Sequence, residues 1–75
     1  MKIQEGGTSL KNLKLKAARA AKDLSQEQLA QLVGVTRQTI GMIEAWKYNP
    51  TLNLCIAICR ALGKTLDELF WNEEE

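Results

Sequence analysis

Residues 25–45, SQEQLAQLVGVTRQTIGMIEA, constrain the fold more than any other stretch of this chain. Ser25 and Gln28 have the spacing of a capping box, which opens a helix. Leu29, Ala30 and Val33 then recur on one helical face. Gly34 stops that helix, at a point where a left-handed turn residue penalises a Cβ. Val35 is apolar and plugs the corner. Thr36 is a second N-cap. Ile40 and Ile43, three apart, give the next helix its buried face, and Arg37, Gln38, Gly41 and Met42 lie on its other side. Two short helices thus cross closely at Ala30, where a large side chain would wedge them apart. Taken alone, the pattern also fits an ordinary helical hairpin with no special partner.

A chain of 75 residues holds one domain. Its core is marginal, and self-association is a common way to bury more surface. Hydrophobic and charged fractions of 45% and 25% are those of a soluble globular protein. No apolar run is long enough for a membrane span, and the N-terminus lacks an apolar leader, so a cytoplasmic protein is expected. Net charge is only +1, but it is unevenly spread. Residues 1–64 carry ten Lys or Arg against four Asp or Glu, whereas residues 65–75 carry five acids and no base. A basic body with an acidic end suits a polyanionic partner, and equally an unpartnered solvated surface.

Residues 1–9 contain Gly6-Gly7-Thr8-Ser9 and read as a flexible lead-in. Residues 10–72 form the domain, and residues 73–75 an acidic tail. Leu13 and Leu15 alternate with Lys, which predicts a short strand over 10–14. The same residues can instead begin the first helix, predicted over 15–22 from its Ala and Lys content. Asn49-Pro50 marks a turn after the central pair of helices. Thr51 caps a fourth helix. Leu52, Cys55, Ile56, Cys59 and Leu62 follow helical spacing there, and Leu54, Ile58 and Ala61 widen the stripe, so the helix is predicted to be heavily buried. Gly63 ends it. Thr65-x-x-Glu68 is another capping box, opening a short fifth helix with Leu66, Leu69 and Phe70. The fold class expected is all-α, a compact five-helix bundle that short terminal strands can extend.

The joint pattern of Ala30, Gly34 and apolar Leu29, Val33, Val35, Ile40 and Ile43 resembles the helix-turn-helix of the Cro and phage-repressor type, the XRE family. The motifs RQTI, KYNP and LDELFW carry the likeness over roughly residues 13–71. The resemblance implies a second helix that enters the major groove of double-stranded DNA. It implies a sequence-specific transcriptional regulator, a repressor that binds a palindromic operator as a homodimer. It implies an ion pair between Arg19 in the first helix and Glu44 in the recognition helix. Terminal strands in such relatives would match 10–14 with 69–72.

Arg37 and Gln38 are the leading base readers. A guanidinium donates twice to guanine O6 and N7, and a carboxamide matches adenine N6 and N7. Thr39 can meet a thymine methyl and Thr36 a phosphate. Met42 offers only apolar contact to a base, or packs on its neighbours. By resemblance Gln26 touches the DNA backbone, where the helix N-terminus adds free N–H donors. Trp46, Lys47, Tyr48 and Asn49 follow the recognition helix and are candidates to grip phosphates. Leu66, Leu69, Phe70 and Trp71 are too apolar for a free surface. In a monomer they pack the tail; in a dimer they form the two-fold seam, which is favoured because a symmetric dimer matches a palindrome.

Two residues depart from the family pattern. Gly41 lies inside the recognition helix, at a cost of ~1 kcal/mol relative to Ala; it either permits close approach to DNA or is neutral variation. Trp46 stands where relatives have Gly or Asn, so either the loop is rebuilt or about 1–2 kcal/mol of backbone strain is carried. Histidine is absent and only two cysteines are present, which removes Cys/His zinc sets and His-activated nucleophiles. No catalysis, metal, cofactor or small-molecule ligand is expected. Cys55 and Cys59 read as small buried apolar side chains, because a disulfide four residues apart on a helix would be strained. The rival reading is a protein-interaction module, such as an antitoxin, that uses the same fold.

Overall fold

The computed structural model describes residues 12–70, which form five helices and, among these residues, no strand. They are α1 (Leu13–Ala21), α2 (Gln26–Val33), α3 (Arg37–Glu44), α4 (Leu52–Leu62) and α5 (Leu66–Phe70). Local chemistry explains most of the boundaries. The hydroxyls of Ser25, Thr36 and Thr51 accept the N–H groups of Gln28, Thr39 and Leu54, so each satisfies an orphan donor of the helix it starts. The Ser25–Gln28 box is complete, with the Gln28 Oε1 accepting from the Ser25 N–H at 2.8 Å. Thr65 and Glu68 form the same reciprocal pair ahead of α5. Gly34 takes the left-handed conformation, φ 79°, at the corner between α2 and α3.

Leu15, Leu29, Ile40, Ile43, Ile58, Leu62 and Leu69 form the fully buried centre, with Ala30 beside them at the α2–α3 crossing. Every helix contributes to this one core. Val33, Val35 and Leu54 pack against it from the edge.

Three expectations are corrected. Leu13 and Lys14 lie in α1 rather than a strand, and Leu69 and Phe70 lie in α5 rather than in its pairing partner. The rest of that proposed pairing lies outside the described residues. Residues two apart fall on nearly opposite sides of a helix as well as of a strand, so the alternation of buried Leu15 with exposed Leu13 could not separate the two. Asn12 decides the matter: its Oδ1 accepts the Leu15 N–H at 3.0 Å and starts the helix early. Helix α4 is less buried than its composition suggests. Its buried residues are Ile58, Cys59 and Leu62, all in the C-terminal half, whereas Leu52 is 63% exposed. Finally, Leu69 is only 1% exposed within a single chain, so its surface is spent in the core and not on a seam.

Candidate nucleic-acid interface

Helix α3 is held from behind and open in front. Ile40, Ile43 and Glu44 are buried, whereas Arg37 and Gln38 are exposed on the first turn. Thr39, Gly41 and Met42 are half-buried. Thr36 already spends its hydroxyl on the cap, accepting the Thr39 N–H at 3.2 Å and meeting the Thr39 hydroxyl at 3.0 Å. The outer surface of α3 therefore carries Arg37 and Gln38 at successive exposed positions of its first turn.

A chain of polar contacts runs from this surface into the core. Arg37 Nη1 donates to Gln26 Oε1 at 3.2 Å. Gln26 Nε2 donates to Glu44 Oε1 at 3.0 Å. Arg19 Nε donates to Glu44 Oε2 at 2.7 Å and its Nη2 to Oε1 at 3.3 Å. Arg19 Nη1 also donates to the Leu24 carbonyl at 2.7 Å. The guanidinium is thus shared between the recognition helix and the segment joining α1 to α2. Two-pronged contact of this kind adds geometric definition as well as energy. The contacts of Gln26 with Glu44 and Arg37 were not evident in the sequence. Gln26 reads there as a backbone contact, and its partners lie 18 and 11 residues away.

Residues 46–49 continue directly from α3. The Trp46 N–H donates to the Ile43 carbonyl at 3.0 Å and the Lys47 N–H to the Met42 carbonyl at 2.8 Å. Those two bonds are the Schellman ending of a helix, which places its C′ residue in the left-handed region. That residue is Trp46, with φ 57°. The loop is therefore not rebuilt around the indole, and the backbone carries the strain. Trp46→Gly and Trp46→Ala both remove the indole, but only Gly tolerates this φ. Chemical denaturation should accordingly find Trp46→Gly more stable than Trp46→Ala by about 1 kcal/mol; equal stabilities would show that the backbone relaxes. Lys47, Tyr48 and Asn49 are exposed beside Trp46, on the side reached by the end of α3.

Leu66 is exposed and Phe70 half-buried on α5, while Trp71 lies outside the described residues. Cys59 is buried, Cys55 half-buried, and both are free thiols. Burial pushes both thiols above their usual pKa, with the neighbouring Cys55 and Glu68 adding in the same direction at Cys59. Such thiols stay protonated and are poor nucleophiles. No helix among the described residues is long and apolar enough to cross a membrane.

Comparison with known proteins agrees with this geometry. A helix-turn-helix family model matches residues 15–69. The chain is 47% identical over 62 residues to YgzD of Bacillus subtilis, an uncharacterized HTH-type transcriptional regulator, covering 83% of this chain and 94% of that one. It is 44% identical over 62 residues to a regulator of the same description from Methanocaldococcus jannaschii, again covering 83% of this chain and 94% of the relative. Among solved structures, the restriction-modification controller protein C.AhdI from Aeromonas hydrophila superimposes with a TM-score of 0.72 at 37% identity, over 79% of this chain and 89% of that one. A recognition helix packed from behind by Ile40 and Ile43, within a match that spans all but the first residues of α1 and the last of α5, identifies the chain as a member of the XRE-type helix-turn-helix family of DNA-binding transcriptional regulators.

Proposed function

We propose that this protein is a cytoplasmic repressor that binds a palindromic operator as a homodimer and excludes polymerase from the promoter. The observation that carries the reading is the exposure of Arg37 and Gln38 on the first turn of a helix whose opposite face is locked in the core. In this reading Arg37, Gln38, Thr39 and Met42 meet base edges. Gln26, Thr36, Trp46, Lys47, Tyr48 and Asn49 meet the sugar-phosphate backbone. Selection of bound duplexes from a random pool should return one palindromic motif, and recovery of no motif would overturn the proposal.

Arg37 and Lys47 should fail differently. Arg37→Ala should cost about 1–3 kcal/mol on the selected operator and little on scrambled DNA, with relaxed preference at one base pair. Lys47→Ala should weaken every duplex alike and make the salt dependence shallower by about one per contacted phosphate. Titrations of both duplexes at several salt concentrations separate the two outcomes. Equal loss on both duplexes for Arg37→Ala would remove it from base reading.

The dimer rests on the apolar Leu66 and Phe70 of α5, with Trp71 following in sequence. Sedimentation at micromolar concentration should show two chains. Phe70→Glu should weaken both self-association and operator binding. A monomer that binds the palindrome without cooperativity would sink this part of the proposal.

A further inference from the structure

Helix α5 carries Leu66 and Phe70 of the proposed seam, and α3 carries the proposed base readers. The two helices communicate through others: α5 packs on α1 and α4, and α3 packs on α2 and α1. The shortest route between them passes through the start of α1, where Asn12 is 3% exposed. Its Nδ2 donates to the Leu69 carbonyl at 2.8 Å, in the last turn of α5. Its backbone N–H donates to the carbonyl of Glu44, the last residue of α3, at 2.7 Å. Carbonyls at a helix end lack a partner within the helix, so both of these are acceptors that the fold has to satisfy. The amide of Asn12 cannot turn over. Its Oδ1 accepts the Leu15 N–H at 3.0 Å, and a flipped amide would set donor against donor there and acceptor against acceptor at Leu69. One buried residue therefore grips the ends of both helices in a fixed orientation.

We propose that Asn12 is a positioning residue for operator geometry: holding Leu69 with its side chain and Glu44 with its backbone, it fixes the recognition helix relative to the seam and so sets the half-site spacing that the dimer accepts. In a two-fold dimer the separation and relative rotation of the two recognition helices follow from the offset between seam and α3 in each protomer. Slack in that offset enters twice, once from each chain. Asn12 touches neither a base nor a phosphate in this role; it acts through the end of α3. The inference rests on the reading of α5 as a dimer seam, and its test keeps the two claims apart.

The experiment measures binding to the operator recovered by selection, and to the same operator with one base pair inserted or removed between its half-sites. One base pair turns a half-site by about 35° and shifts it by about 3.4 Å. Wild type should bind the altered duplexes markedly more weakly. Asn12→Asp and Asn12→Ser both keep an oxygen to cap α1 and the backbone bond to Glu44, but lose the donor to Leu69. Each should reduce the spacing penalty by about two- to tenfold, the worth of a lost hydrogen bond. Discrimination between bases within a half-site should stay at the wild-type level. The penalty is a ratio of two affinities of one protein, so a smaller folded fraction cancels from it. Thr51→Ala, which removes the α4 cap instead, should accordingly keep the wild-type penalty. If both Asn12 variants keep the full penalty, the bond to Leu69 does not set the spacing and the inference is wrong. If sedimentation shows the variants as monomers where wild type is a dimer, Asn12 shapes the seam itself and the inference is equally overturned. If wild type is a monomer, or binds all spacings alike, the seam reading falls first and takes the inference with it.

Discussion

Arg19→Ala should lower the free energy of unfolding by about 3–5 kcal/mol, because it strips a buried carboxylate of its counter-charge. The Glu44 side chain is 7% exposed and that of Arg19 is 13% exposed, so the carboxylate is largely removed from water and depends on its protein partners. One neutral donor would remain, the Gln26 amide at 3.0 Å. The Leu24 carbonyl would also lose its guanidinium donor. Removal of both charges should be milder than the sum of the two single changes, since Arg19→Ala, Glu44→Ala leaves no uncompensated ion. Urea denaturation of the four members of this cycle measures the coupling. Additivity to within about 0.5 kcal/mol would mean that the two residues do not support each other. The pair need not add stability relative to a well-packed apolar pair. What it adds is direction: one guanidinium touches both the end of α3 and the segment that leads from α1 to α2, and so fixes the angle at which the recognition helix is presented.

The parts of this architecture that were legible in the sequence are those with local causes. Ser25, Thr36 and Thr51 cap helices because a side-chain oxygen reaches an N–H three residues ahead, a relation visible in any sequence. Ile40 and Ile43 are buried because their spacing matches the helical repeat. What stayed hidden depended on tertiary position. Leu52 and Leu69 are equally apolar, yet one is exposed and the other buried, since the first stands at the start of α4 and the second faces the core from α5. The Gln26 contacts arise only because the start of α2 crosses α3 near Gly41. Sequence likeness could mark Trp46 as out of pattern, but only the backbone shows that the left-handed ending persists there.

Asn12→Ala should cost about 2–4 kcal/mol, combining loss of a helix cap with loss of a buried carbonyl's donor. An Asn three residues ahead of Leu15 is a readable N-cap signal, but the sequence does not show that it is 3% exposed and bonded on three sides. Its Oδ1 accepts the Leu15 N–H at 3.0 Å. Its Nδ2 donates to the Leu69 carbonyl at 2.8 Å. Its backbone N–H donates to the Glu44 carbonyl at 2.7 Å. The start of α1 is thereby tied to the end of α3 and to α5. The backbone bond survives any substitution except proline, so the side chain can be tested separately. Asn12→Asp keeps the acceptor that caps α1 and adds charge favourable to a helix N-terminus. It loses the donor to Leu69 and sets a carboxylate against a carbonyl oxygen. If the tie to α5 carries most of the energy, Asp should be nearly as destabilising as Ala. A near-wild-type Asp variant would assign the effect to the cap alone. An Asn12→Ala protein as stable as wild type in urea would show that neither contact matters, and that the packing of Leu15 and Leu69 alone holds α1 against α5.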